Sequence, residues 1–180
     1  MKKLVLLVVA ALTLSLVGTV GASADSGHRE YQYLAGTGFL CDLDPSACPD
    51  ISRADNGDTV ELSGSGTLTI HPNSASGEGE FTHKNAAGEV IVTGTWTALK
   101  LNSFQSYGTD PNLPPEVEGG HAVILVQLFV GGNPVATALL TVDCAIGKVP
   151  PGHTEGIKLN VQGLLNFNQK VSGFTVFIRQ

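Results

Sequence analysis

Residues 58–70 read Asp-Thr-Val-Glu-Leu-Ser-Gly-Ser-Gly-Thr-Leu-Thr-Ile. The even positions are Val60, Leu62, Gly64, Gly66, Leu68 and Ile70; the odd positions from Thr59 are Thr59, Glu61, Ser63, Ser65, Thr67 and Thr69. Apolar or bare residues alternate with polar ones without exception. A period of two is the signature of a strand with one buried and one wet face. The two inward glycines mark places where the strand bends or where a large side chain lies against bare backbone.

The pattern extends in both directions. Residues 71–76 carry turn chemistry, and 77–84 alternate again with Gly77, Gly79, Phe81 and His83 on the inward face. A second turn at 85–88 leads into 89–98, where Val90, Val92, Gly94, Trp96 and Ala98 face inward, and 99–104 follow on. Closing that turn on Lys84 and Glu89 pairs opposite charges on the wet face. The resulting register sets Phe81 opposite Val92 with Gly66 beyond, and Gly79 opposite Gly94 with Leu68 beyond. Trp96 then faces Gly77 beside Ile70, and His83 lies beside Val90 and opposite Gly64. Each row mixes glycine with something larger, as strongly bent strands require.

Further strands are expected at 31–39, 121–130, 135–146, 155–163 and 173–179, with irregular stretches at 40–57 and 105–120. No segment has a convincing helical period. The prediction is an all-β domain of about eight mainly antiparallel strands in an up-and-down, barrel-like arrangement. A β-sandwich with bent strands is the alternative. In architecture alone this resembles small eight-stranded barrels such as lipocalins, dirigent proteins and allene oxide cyclases. None of their sequence signatures is present, so the resemblance implies a shape and no activity.

Residues 1–24 have a different character. Lys2 and Lys3 precede an apolar run from 4 to 17, and small residues end in Ala22-Ser23-Ala24. That order predicts a secretory signal cleaved after Ala24, leaving 25–180 as a single secreted domain. With Lys2 and Lys3 removed, 8 basic residues face 16 acidic ones, a net charge near −8. A chain so acidic, with no Lys/Arg cluster, is not expected to bind nucleic acid. After cleavage no run is long enough to span a membrane, so no membrane association is expected.

Export permits a disulfide, and three cysteines allow one internal bridge. In a simple meander the loops at 40–57, 85–88, 131–134 and 165–172 share one end, and those at 71–76, 105–120 and 147–154 share the other. Cys41 and Cys48 then sit together and are expected to pair, leaving Cys144 as a buried free thiol. The aspartates Asp42, Asp44, Asp50, Asp55 and Asp58 lack calcium-loop spacing and read as a solvated acidic loop pinned by the disulfide.

The sequence offers few chemical candidates. His71, His121 and His153 are gathered near one rim by the meander, together with Asp110, Glu116, Glu118 and Cys144. They are the weak candidates for metal ligation, although no pair has ligand spacing. His83, turned inward, and His121 are the weak candidates for a catalytic acid or base of lyase or isomerase type. Phe81, His83, Trp96 and Gln127 are the candidates for lining an interior ligand site. Nucleophile-elbow, phosphate-loop and dinucleotide motifs are all missing, and no cofactor is expected. The functional expectation is non-catalytic binding of a small apolar ligand or a protein partner, with a structural surface protein as the remaining alternative.

Overall fold

The computed structural model describes Gly27 and residues 29–180, so the expected signal segment lies outside the described residues. The elements are β1 (Arg29–Ala35), α1 (Phe39–Leu43), a 3-10 turn (Pro45–Ala47), β2 (Asp50–Ala54), β3 (Thr59–Ile70), β4 (Ser74–Lys84), β5 (Val90–Gly108), β6 (Val117–Val130), β7 (Asn133–Cys144), β8 (Gly156–Val161), β9 (Leu165–Ser172) and β10 (Thr175–Arg179). All ten strands belong to one antiparallel sheet that closes into a ring without being an exact barrel.

The reason lies in strand length. β3 pairs with β4 along one whole edge, but its other edge is shared: β2 covers Thr59–Leu62 and β1 covers Gly64–Ile70. β6 is shared in the same way. It pairs with β7 from Gly120 to Val130 and with β10 at Val117 and Glu118. The sheet therefore forks. One half closes through β7, β8, β9 and β2, and the other through β10 and β1, with β3 to β6 common to both. β3 to β9 form the expected up-and-down meander; β1, β2 and β10 complete the two closures. Two strands, β2 and β9, occupy stretches read as loops, and β1 stops at Ala35 because the chain turns at Gly36 into α1.

The observed register corrects the expected one by even numbers of residues. Phe81 lies opposite Gly94 and Leu62, Gly79 opposite Trp96 and Gly64, and His83 opposite Val92 and Val60. The β3–β4 turn is tighter than 71–76, since Ser74 already pairs with Thr69. A bulge at His83/Lys84 moves the β4–β5 pairing. Lys84 consequently pairs with Glu61 rather than with Glu89, which accepts from Asn85 Nδ2 at 2.7 Å. An even slip keeps each side chain on its own face, so Phe81, His83, Val92, Gly94 and Trp96 face inward as expected although their partners differ. Val90, beyond the bulge, pairs with Lys84 and is exposed, which corrects its expected inward placement.

The interior is filled through most of its length by Tyr31, Tyr33, Leu62, Leu68, Trp96, Ile124, Leu140 and Ile157 among others. A second apolar cluster, Leu34, Leu40, Ala47 and Val176, lies on the outer face of β1 and β10 beneath α1. Cys41 and Cys48 form the expected disulfide there, while Cys144 is free and buried in the main core. The separation of the thiols is thus between outside and inside, not between two ends. The bridge closes a loop of sequence separation 7, so replacing both cysteines by serine is expected to cost about 2 kcal/mol by loop entropy. Urea denaturation checks this. An unchanged midpoint would mean that the outer cluster holds the segment unaided.

Candidate functional site

Strand alternation brings the loops 55–58, 85–89, 131–132 and 162–164 to one end of the ring. There the core stops short of the rim and leaves an apolar pocket of about 330 Å³. Val60, Phe81, Val92, Leu128, Leu159 and Phe167 are among its walls, and His83 is its one ionisable lining residue. The mouth is apolar as well: Leu164 is 76% and Val135 56% exposed. Inward alternation on β3 to β9 supplies the walls, and the pocket exists because no side chain from the end loops folds back to fill it.

His83 does not face this pocket alone. Its Nε2 lies 3.0 Å from Oδ2 of Asp58, the residue just before β3, and its ring meets Phe167 edge-on at 5.2 Å. The hydrogen bond from His83 holds the Asp58 carboxyl below its ordinary range. An ionised Asp58 accepts from Nε2–H and leaves Nδ1 as the other polar atom of the ring.

Two of the four expected pocket residues, Phe81 and His83, line this space. Trp96 does not. It is fully buried deeper in the core, where its Nε1–H donates to the Ser63 carbonyl at 3.2 Å. Gln127 does not either: its Nε2 donates to the carbonyls of Ala136 at 2.8 Å and Leu128 at 3.2 Å. These two bonds satisfy its amide donor within the sheet.

A second cluster forms on the outer wall, near the fork in the sheet. His121 of β6 and Asp143 of β7 are direct cross-strand partners, and His153 reaches them from the 145–155 loop. Nδ1 of His121 lies 3.2 Å and Nδ1 of His153 3.0 Å from the same oxygen, Oδ2 of Asp143. Tyr107 Oη donates to the other oxygen, Oδ1, at 3.0 Å and lies 2.6 Å from His153 Nδ1. Asp143 is 1% exposed, whereas each imidazole is about a quarter exposed. Burial works to raise the Asp143 carboxyl, but the hydrogen bonds from His121, His153 and Tyr107 outweigh it and hold the group below its ordinary value. The same burial, with Asp143 beside it, pushes the Tyr107 phenol up.

The chain matches no family model, no curated protein and no solved structure.

The remaining rim candidates stay apart. His71 is exposed in the β3–β4 turn, and Glu116 is exposed in the loop before β6. Asp110 is occupied in a local turn with Asn112. Glu118 is buried and bonds to Tyr31 and Ser106. Cys144 faces inward, and burial pushes its thiol up to about 12. The acidic loop is also not uniformly solvated: Asp50 is fully buried, Asp58 serves His83, and Asp44 caps the 3-10 turn through Ser46. Asp143 and Tyr107 are the site residues missing from the sequence reading, and Asp58 is there only as part of the solvated acidic loop. Asp143 alone had a signal there, as the one charged side chain in an apolar strand.

Proposed function

We propose that this is an exported protein that binds a small apolar ligand in the pocket at the loop end of the ring. The carrying observation is the pocket itself: about 330 Å³, walled by aliphatic and aromatic side chains from seven strands of one sheet. Pockets that are apolar with few polar groups suit molecules bound chiefly by surface burial. Leu164 and Val135 extend that surface to the mouth, which favours a ligand with an apolar tail. The Asp58–His83 pair supplies one polar contact, suited to a carbonyl or hydroxyl. The disulfide accords with export. Nothing in the pocket supplies a second acid–base group beside this pair, so binding is favoured over a lyase or isomerase reaction.

Titration with the neutral dye N-phenyl-1-naphthylamine tests this. Saturable fluorescence enhancement is expected for the natural chain. Ala136→Phe, which places a ring in the pocket, should weaken it at least about tenfold without lowering stability. A non-saturating signal, or one indifferent to Ala136→Phe, would sink the reading. Trp96→Phe should leave dye affinity unchanged, because Trp96 does not line the pocket.

A further inference from the structure

The outer-wall cluster brings together three side chains of metal-ligating type. Three donors arrive from separate pieces of chain and converge on one point: Nδ1 of His121 from β6, Oδ2 of Asp143 from β7, and Nδ1 of His153 from the 145–155 loop. Their ligand atoms all lie within 4.8 Å of one another, and the two nitrogen-to-oxygen separations are 3.2 and 3.0 Å. Donors bound to one tetrahedral ion at zinc-like distances of about 2.0–2.2 Å stand about 3.3–3.6 Å apart. The two nitrogen-to-oxygen separations need to open by only about half an ångström or less to reach that range. We propose that His121, Asp143 and His153 bind a divalent transition-metal ion of the zinc type through these three atoms.

Three further features favour a metal over a purely structural network. Asp143 is buried, yet among the described residues its ion-pair partners are only the two histidines, with no lysine or arginine. A buried carboxylate lacking a permanent counter-charge is costly, and a divalent ion provides one. Tyr107 donates to Oδ1, so the carboxylate is oriented with Oδ2 turned to the imidazoles. That is the role of an outer partner that fixes a ligating group. The Tyr107 Oη also lies 2.6 Å from His153 Nδ1, a contact that an ion on that nitrogen would replace. Finally, the imidazoles stand at the solvent edge while the carboxylate is sealed beneath them. An ion can enter from outside, and each ring can carry its proton on Nε2 once Nδ1 is engaged. Two imidazoles and one carboxylate suit zinc or its neighbours and leave at least one position for water or a further ligand. Cys144, next in sequence, faces the core and takes no part.

The metal site and the apolar pocket stand on different residues, so each can fail without the other. The test is calorimetric titration of zinc chloride into untagged protein previously stripped with EDTA. One equivalent should bind, and His121→Gln and His153→Gln should each weaken affinity by about 100-fold or more. His71→Gln, in an exposed turn, should change nothing. Should a variant fail to fold, long-range proton–nitrogen spectra of the natural chain replace it. One equivalent of zinc should then shift the Nδ1 signals of two imidazoles out of the five histidines. No binding at about 100 µM zinc overturns the proposal, as does binding indifferent to His153→Gln or lost in His71→Gln. An NMR response spread over all histidines overturns it equally.

Discussion

Trp96→Ala is expected to destabilise the protein by about 3–5 kcal/mol, the range for removing a fully buried large aromatic side chain. Trp96 has no exposed surface. Its ring lies against the backbone of two neighbouring strands at Gly64 and Gly79. A Cβ on Gly79 would stand 2.6 Å from the indole Nε1, and one on Gly64 would collide with the ring itself. Bare backbone at Gly79 and Gly64 means that no side chain from β3 or β4 at these positions can swing into the vacated space. Leu128 of β6 is the cross-strand neighbour left to adjust, so much of the cavity persists. The Nε1–H bond to Ser63 adds a smaller share. Trp96→Phe, which keeps most of the volume and leaves that carbonyl short of a donor, should cost only about 1–2 kcal/mol. Urea midpoints of the three proteins check the ordering. A Trp96→Ala cost under about 1 kcal/mol would mean that the sheet collapses around the gap.

The same residue shows how far pattern reading reaches. Period-two alternation placed Trp96 inward and predicted glycine beside it, and both hold. It named Gly77 as the partner where the structure has Gly79 and Gly64. Alternation fixes the face, whereas register depends on where each turn closes, and neither the tight β3–β4 turn nor the His83/Lys84 bulge has a two-letter signature. β2 was missed for a different reason. Its inward positions are Asp50, Ser52 and Ala54, and the more exposed Ile51 lies between them, so the usual polarity is inverted. β9 shows one buried residue, Phe167, and its other apolar residues, Leu165 and Val171, are only partly buried or exposed.

The outer-wall cluster was half legible. The Gly131-Gly132 turn, together with two strands whose even positions are both apolar, restricts β6–β7 pairing to a register near the one that sets His121 opposite Asp143. Tyr107 was beyond reach because β5 passes through three register shifts against β6 before arriving there. His153 was brought to the rim by the meander, but its closure onto Asp143 depends on a Pro-rich loop with no period to read.

The advantage of Asp50→Asn over the natural chain is expected to grow by about 2.5 kcal/mol between pH 4 and pH 7. Asp50 opens β2 at the fork in the sheet and is fully buried. Its Oδ1 accepts from the Ile157 N–H at 3.3 Å and lies 3.5 Å from Lys170 Nζ, while Oδ2 has no partner among the described residues. Burial dominates: it raises the carboxyl to about 6, with nearby Glu155 adding to the rise and Lys170 opposing it. A carboxyl whose folded value lies above its ordinary 3.8 holds its proton more tightly in the folded state. The stability it contributes is therefore complete below about pH 4, declines as the pH climbs to about 6, and is lost above that. A shift of about two units corresponds to about 3 kcal/mol. The asparagine amide is neutral throughout and carries no such slope. Glu155, also raised by burial, titrates in both proteins, so only its coupling to Asp50 enters the difference. Urea unfolding of the pair at pH 4, 5, 6 and 7 measures that difference directly. Parallel stability profiles would show that the Lys170 ammonium fully compensates the buried charge, and that the unpartnered Oδ2 reaches solvent.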